Sequence, residues 1–174
     1  PSFDFSPENA GIKYKPTGII VDKFFQTSAK NIYAIGDCIG NKISSTEYSE
    51  YQASILTSNL LNKSKNPSNF NGFIRTVNPY PEVAVVGLSE STLIKQKRKY
   101  KKAIVSIKDL PISKIARLDY GFVKIMSDRS NHIIGTTIVM PNASLMAEEF
   151  AIAIRHQLTL VEIASTPHIT NSFN

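Results

Sequence analysis

The side chains in this chain that could carry chemistry are three histidines, one cysteine and a few carboxylates. His132, His156 and His168 lie on separate predicted elements, with no carboxylate at metal-ligand spacing, so we expect no metal site. The single cysteine, Cys38, excludes an intrachain disulfide and a redox disulfide, since each needs two cysteines. Asp37 is the more informative position because it follows a glycine at the end of an apolar run.

The surroundings of Asp37 resemble a ligand-binding edge of a sheet. The run Asn31-Ile-Tyr-Ala-Ile35 is bounded by turn residues and is typical of a strand buried on both faces. A carboxylate just after such a strand lies where open α/β sheets bind ligands, and it could accept hydrogen bonds from sugar or ribityl hydroxyls. An aspartate in a Gly-Asp turn is also a common local turn former. Spacing alone leaves both interpretations open.

The first part of the chain predicts two further elements around this position. Residues 18–22 are expected to form a short strand, and the pattern becomes helical after Gly40. Ser44 and Ser45 are N-cap candidates for a helix that extends to about Leu61. Residues 62–71 are polar, contain a proline and have little periodicity, which indicates a linker.

The second part predicts an α+β domain with an antiparallel sheet. Strands are expected at residues 82–86, 103–107, 120–126 and 132–139, with a hairpin turn at 128–131. Helices are expected at 89–96 and 144–157, the second of them amphipathic. Thr159 and Glu162 form a capping-box pattern for one more short helix. This order of elements favours helices packed on one antiparallel sheet.

Composition restricts the classes of protein. The 174 residues are 42% apolar, which is enough for a core and excludes general disorder. No run approaches the roughly 20 apolar residues of a membrane span, no signal peptide opens the chain, and a reducing, cytoplasmic location is the expectation. The formal charge is +6, and six basic residues fall within positions 95–102. Such a run could meet phosphates or an acidic partner, but a solvated strand edge is commoner, and Tyr100 alone offers little stacking for nucleic acid.

Two segments of the chain resemble a known family. Gly18-Ile-Ile-Val-Asp22 followed by Thr27-Ser-Ala-Lys-Asn-Ile-Tyr-Ala-Ile-Gly-Asp37 is similar to the second flavin-binding signature of the pyridine nucleotide-disulfide oxidoreductases. Val77-Asn-Pro-Tyr-Pro-Glu-Val-Ala-Val-Val-Gly87 resembles the opening of their C-terminal dimerisation domain. Shorter matches continue along the chain at Tyr120-Gly-Phe-Val-Lys124, Ile134-Gly135 and Pro141-Asn-Ala143.

The resemblance implies an architecture and a cofactor. Residues 1–65 would be the end of an FAD-binding α/β domain, residues 66–76 a linker, and residues 77–174 the dimerisation domain of a homodimer. Asp37, preceded by Gly36, would bind the ribityl chain of FAD. The helix that begins near Ser44, Ser45 and Thr46 would direct its N-terminal N–H groups at the pyrimidine edge of the flavin.

The C-terminus departs from the family pattern. The family commonly carries H-x-H-P-T-x-S-E, whose second histidine is an acid/base toward the dithiol and whose glutamate orients it. Here the segment is Thr166-Pro-His-Ile-Thr-Asn-Ser-Phe173, so His168 is the candidate acid/base and Phe173 stands in place of the glutamate. We therefore expect His168 to lack its counter-charge. The other interpretation is a polar surface residue near the terminus.

The leading functional hypothesis is the C-terminal part of an FAD-dependent NAD(P)H:disulfide oxidoreductase, most like dihydrolipoamide dehydrogenase. None of the eight glycines forms a dinucleotide fingerprint, and the family's redox cysteine pair is absent. We therefore expect the NAD(P)H site to lie in a preceding segment and these 174 residues to be inactive alone. Its substrate would be a disulfide, a dithiol or another small electron acceptor. The alternatives are a mercuric reductase-like or orphan flavoprotein reductase, and a non-catalytic dimerisation or basic binding module.

Overall fold

The computed structural model describes residues 4, 6–40, 45–170 and 172–173. The chain divides into two compact units, Pro1–Asn69 and Phe70–Asn174. In the described part of the chain, no helix is both long enough and apolar enough to cross a membrane. The first unit contains β1 (Tyr14–Lys15), β2 (Gly18–Ile19) and α1 (Thr46–Leu61). The second contains β3 (Ile74–Val77), β4 (Val83–Gly87), α2 (Glu90–Lys95), β5 (Lys101–Ser106), α3 (Pro111–Ala116), β6 (Phe122–Ser127), β7 (Ile133–Val139), α4 (Ala143–Arg155) and α5 (Leu160–Ser165).

The second unit is built on a five-stranded antiparallel sheet, which confirms the predicted α+β class. The strand order is β3-β4-β7-β6-β5, so β5 lies at an edge and β7 at the centre. One face of the sheet packs against α4. The core that results comprises buried residues of both layers: Ala84, Val86, Val123, Ile138, Met146, Ala147, Phe150, Ala153 and Ile154.

Carboxylate side chains stabilise the first turns of α4 and α5, from a distant position in α4 and locally in α5. The carboxylate of Glu82 accepts a hydrogen bond from the backbone N–H of Ser144 at 3.2 Å, in the first turn of α4. A negative group there satisfies one of the unpaired N–H groups of the helix and complements its dipole. The capping box of α5 is confirmed, because the Thr159 and Glu162 side chains each accept a hydrogen bond from the other residue's backbone N–H.

The sequence prediction for the second unit is incomplete in three places. The linker predicted at 66–76 includes most of β3. The sequence did not indicate this strand because it contains the polar Arg75 and Thr76 and because its pairing with β4 is a tertiary contact. The short helix α3 is not predicted. The strand expected to end at Ile107 ends at Ser106, and Ile107 instead begins a 3-10 turn and is completely buried.

The first unit departs from the sequence prediction at the apolar run 31–35. This run is not a strand buried on both faces: it forms a single bridge, between Tyr33 and Gln26, and Ile32 is 37% exposed. A strand of that kind needs a neighbour along each edge. Among the described residues, the run pairs only with the short segment 25–27. The strand predicted at 18–22 is likewise reduced to β2, which forms a small hairpin with β1.

Candidate functional site

The turn that carries Asp37 is a 3-10 helix, Gly36–Ile39, enclosed by two glycines in the left-handed region. Gly36 has φ 75° and Gly40 has φ 64°, a backbone conformation that other residues adopt only with strain. Gly40 also lies directly against Gly18 of β2, and a Cβ on Gly18 would overlap the Gly40 backbone. The three glycines therefore hold the turn close to the hairpin, and their positions have a steric reason.

A buried glutamine attaches this turn to α1. The side-chain oxygen Oε1 of Gln52 accepts a hydrogen bond from the Gly36 N–H at 2.6 Å, and Gln52 is completely buried. Tyr48, one turn earlier on the same face of α1, is buried as well. The sequence prediction did not identify Gln52. The available signal was a polar residue four positions after an inward-facing aromatic residue, on a helix that follows the Gly-Asp turn.

Asp37 and Cys38, in the middle of the turn, differ in exposure and in hydrogen bonding. Asp37 is exposed, and within the described ranges its carboxylate has no hydrogen bond or ion pair. The Cys38 thiol donates a hydrogen bond to the Ile35 carbonyl oxygen, and burial raises the pKa of the thiol. Cys38 is therefore a protonated, structural thiol at neutral pH, whereas the Asp37 carboxylate is free to accept hydrogen bonds from a ligand.

The N-terminus of α1 follows the same turn. Ser45 is the N-cap, and its Oγ accepts a hydrogen bond from the Tyr48 N–H at 3.2 Å, as the sequence predicted for a capping serine. Thr46, the first helical residue, is exposed, and its backbone N–H has no partner within the helix. Ser44, the third residue predicted here, lies outside the described residues. The N-terminus of α1 carries the positive end of the helix dipole.

Other residues of the flavin-signature segment have structural roles. The Asp22 carboxylate accepts hydrogen bonds from the N–H groups of Phe24 and Gln26, at 2.8 and 3.0 Å. The Thr27 hydroxyl donates to the Ile32 carbonyl oxygen at 3.0 Å. Asn31 has φ 63°, which asparagine tolerates better than most residues. These residues therefore order the loop that leads to Asp37.

His168 has a carboxylate partner, so the expectation that it lacks a counter-charge was wrong. Its Nε2 lies 3.0 Å from Oε1 of Glu149, a residue of α4. The hydrogen bond to Glu149 raises the pKa of His168. The two side chains are 28% and 27% exposed, so the pair is only partly shielded from water. Phe173, which stands at the position of the motif glutamate, packs against the hydrophobic core instead.

The two remaining histidines are structural. His132 Nδ1 lies 3.2 Å from Oδ2 of Asp128, within the hairpin turn that joins β6 to β7. His156 is exposed and is the C-cap residue of α4. Neither is part of a cluster with Asp37 or His168 in the contacts of the described residues.

The basic run 95–102 extends from the end of α2 into the edge strand β5. Lys102 forms an ion pair with Glu90 at 2.8 Å, and Lys101 donates a hydrogen bond to the Asn131 side chain. Lys124 of β6 also pairs with Glu90 at 2.8 Å. Part of the run therefore contributes to a cluster of charges within the second unit.

Comparisons with known proteins match each of the two units to a family model. Residues 75–174 match the family model described as pyridine nucleotide-disulphide oxidoreductase, dimerisation domain. Residues 1–53 match the model described as pyridine nucleotide-disulphide oxidoreductase. The chain belongs to the pyridine nucleotide-disulphide oxidoreductase family.

Individual relatives carry different names within this family. The chain is 28% identical over 169 residues to an NAD(P)H dehydrogenase (quinone) of Mycobacterium tuberculosis, covering 92% of this chain and 34% of the relative. It is 33% identical over 161 residues to a dihydrolipoyl dehydrogenase of Mycoplasma genitalium, covering 87% of this chain and 34% of that protein. The chain thus spans about a third of the length of these relatives.

Solved structures show the same fold. LpdA from Mycobacterium tuberculosis superposes with a TM-score of 0.86 at 27% identity, covering 98% of this chain and 37% of that chain. The HOCl-induced flavoprotein disulfide reductase RclA from Escherichia coli superposes with a TM-score of 0.82 at 20% identity, covering 97% of this chain and 39% of that one. At that identity, the second likeness concerns the fold alone.

Proposed function

We propose that this chain is the C-terminal part of a homodimeric, FAD-dependent NAD(P)H:disulfide oxidoreductase, most like dihydrolipoamide dehydrogenase. The observation that carries the proposal is the Gly36–Ile39 turn before α1, whose exposed Asp37 carboxylate has no partner among the described residues. Family membership of both units supports it. The NAD(P)H site and the redox disulfide would lie outside these 174 residues, which hold a single cysteine.

The residues of the turn fit FAD by the chemistry of their donors and acceptors. The Asp37 carboxylate, which has no partner among the described residues, would accept hydrogen bonds from ribityl hydroxyls. The N–H groups at Thr46 would face the pyrimidine edge of the ring, where the positive helix end favours negative charge. When bound, FAD would relay electrons between the nicotinamide and the acceptor. Ser44 and Ser45, which precede α1 in the sequence, would contribute to the same FAD site.

His168 would act as the acid/base in this reaction. An imidazole changes charge near neutral pH, which suits an acid/base toward a dithiol substrate. The family model for residues 75–174 supports a dimer, and the surface around His168 would face the partner. In that arrangement the substrate site would be completed by the second copy. The acceptor would be a small disulfide or dithiol, and we expect a cytoplasmic location without nucleic acid as a partner.

A second candidate function is reduction of a different acceptor, such as a quinone. Two observations favour it. The segment 166–173 departs from the dithiol-enzyme motif at Thr166, Ile169 and Phe173. In addition, one relative over 92% of the chain is named an NAD(P)H dehydrogenase (quinone). Under this hypothesis His168 would protonate a reduced oxygen atom of the acceptor, and a dithiol would be a poor substrate.

The flavin proposal is tested by intact mass and visible absorption of the protein purified from its native reading frame. We expect a polypeptide longer than 174 residues with a bound yellow flavin. Asp37→Ala is expected to lose flavin during gel filtration, and Asp109→Asn, which changes an exposed carboxylate of the other unit, is the control. A colourless protein, or full flavin retention in Asp37→Ala, would contradict the assigned role.

The acceptor is decided by turnover with a dithiol, dihydrolipoamide, compared with a soluble quinone. Higher kcat/KM for the dithiol supports the leading proposal, and higher kcat/KM for the quinone supports the second candidate. His168→Gln separates a proton-transfer role from a surface role. Under the leading proposal it lowers kcat with the dithiol about 100-fold or more, the range typical for loss of an acid/base, and a surface residue would leave kcat unchanged.

A further inference from the structure

We propose that Glu149 of α4 is the positioning residue for His168, and that it supplies from a different element the carboxylate that the C-terminal segment lacks. This inference rests on the proposed role of His168 in proton transfer. It starts from the 3.0 Å contact between Nε2 of His168 and Oε1 of Glu149. The two residues are separated by 19 positions in the chain.

Glu149 is well placed to hold a histidine because its own backbone is fixed. It lies in the middle of α4, between residues that anchor the helix in the core: Met146 and Phe150 are both buried. His168, in contrast, lies in an irregular segment after α5. The contact therefore joins an irregular segment to a rigid helix, and it restricts where the imidazole can lie.

Phe173 explains why the carboxylate comes from α4. The aromatic side chain packs against the hydrophobic core of the second unit. A glutamate at this position would have to place a charge against apolar side chains, which is unfavourable without a partner. The segment thus uses position 173 as an apolar anchor, and the charge is provided by Glu149.

The contact also determines which ring nitrogen of His168 carries the proton in the neutral form. An ionised carboxylate only accepts hydrogen bonds, so Nε2 of His168 must be the donor in both protonation states. Neutral His168 is then the Nε2–H tautomer, and the lone pair is on Nδ1. Nδ1 is then the nitrogen that gains and loses the proton, while Glu149 holds the proton on Nε2.

The charge of Glu149 adds to this geometry. Glu149 is the charged group acting on His168 among the described residues, and the Thr166 backbone also contributes. Both interactions favour the imidazolium form. The exposed apolar residues Leu145 and Ile152 lie on the same face of α4 as Glu149, four and three positions away. A second copy covering this face would remove water from the pair and strengthen it.

The inference is tested by NMR titration of the three histidines in the intact protein labelled with ¹⁵N-histidine. In Glu149→Gln we expect the pKa of His168 to fall toward its ordinary value and the preference for the Nε2–H tautomer to weaken. Glu148→Gln, the neighbouring and exposed residue of α4, is the matched control and should leave both unchanged. His132 and His156 report in the same spectra that the fold is intact.

Unchanged pKa and tautomer of His168 in Glu149→Gln would overturn the proposal, and so would an equal effect of Glu148→Gln. This readout requires neither flavin nor turnover, so it can succeed or fail independently of the proposed function. In the active enzyme we expect Glu149→Gln to shift the pH profile of kcat in the same direction as the His168 titration. Glu149→Asp should restore part of the shift, because the carboxylate is retained on a shorter side chain.

Discussion

The side-chain oxygen Oε1 of Gln52 is the group that holds the turn around Asp37 in place. It accepts a hydrogen bond from the Gly36 N–H at 2.6 Å, so the peptide next to the exposed Asp37 is anchored. Asp37 supplies the negative charge, whereas Gln52 restricts the position of the Gly36 peptide. The candidate site thus depends on a residue that has no chemistry of its own.

Replacing Gln52 with leucine should destabilise the turn and weaken flavin binding together. The partly buried Gly36 N–H would lose its acceptor, and about 1–3 kcal/mol, the cost for a fully buried donor, is the upper limit of the loss. We expect a lower free energy of unfolding in urea and faster loss of flavin. Gln96→Leu, a change of the same type at an exposed position after α2, should alter neither quantity. Equal flavin retention in Gln52→Leu and the parent would show that the turn does not need this anchor.

The His168–Glu149 pair links stability to pH at the same scale. The pKa of His168 is raised in the folded state, so the pair stabilises the fold fully below the unfolded pKa of about 6.5. That contribution is lost as the pH rises through the higher folded pKa. Glu149→Gln removes it, so the variant should differ from the parent most in mildly acidic solution, as measured by urea unfolding.

Three elements of the second unit meet at Glu90, the first residue of α2. Its carboxylate accepts hydrogen bonds from Lys102 of β5, Lys124 of β6 and the Tyr100 hydroxyl. The hydrogen bonds from Lys102, Lys124 and Tyr100 lower the pKa of Glu90 to about 2. The short helix α2 is thereby attached to the edge of the sheet by charge as well as by its buried Leu93.

This cluster predicts a specific acid dependence. Because the folded pKa of Glu90 is lowered, its contribution to stability is present above the unfolded pKa of about 4.3 and is lost as the pH falls toward 2. Glu90→Gln should therefore be less stable than the parent at pH 7 and equal to it near pH 2. Urea unfolding across this range checks the convergence, with Glu148→Gln as the control. A constant difference at all pH values would show that Glu90 acts by packing alone.

At the scale of the whole molecule, the second unit exposes several large apolar side chains that a second copy could cover. Ile152 of α4 is 60% exposed and lies on the face that also carries Glu149. Ile169, next to His168, is 82% exposed. Exposed apolar groups around a charged pair are typical of an interface whose core becomes buried on association.

The dimer is tested by sedimentation of variants that place a charge on this face. Ile152→Glu should shift the protein from dimer to monomer, because an unpaired carboxylate would be buried in the interface. Ile115→Glu on α3, where the parent isoleucine is 68% exposed, is the comparison and should leave the dimer intact. Dissociation by Ile115→Glu alone would place the interface on a different face.

The parts of the fold that could be predicted from the sequence are those with local causes. The N-cap serine of α1, the capping box of α5 and the hairpin turn at Asp128 each depend on residues within four positions of one another. The apolar run 31–35 was wrongly assigned because burial of a strand depends on neighbouring strands that local sequence does not specify. β3 was missed for the same reason, since four residues with polar members become a strand only through pairing with β4.

The sequence by itself determined the family of this protein, the α+β class of its second unit and the position of Asp37 in a Gly-Asp turn. These conclusions follow from side-chain types at short, regular spacing, where the backbone limits which contacts are possible. Only the tertiary structure joined Gln52 to Gly36 and Glu149 to His168, pairs that are 16 and 19 positions apart. Such contacts depend on where the packed cores place α1 and α4, and a glutamate on a helix surface carries no local mark of the histidine that it will meet.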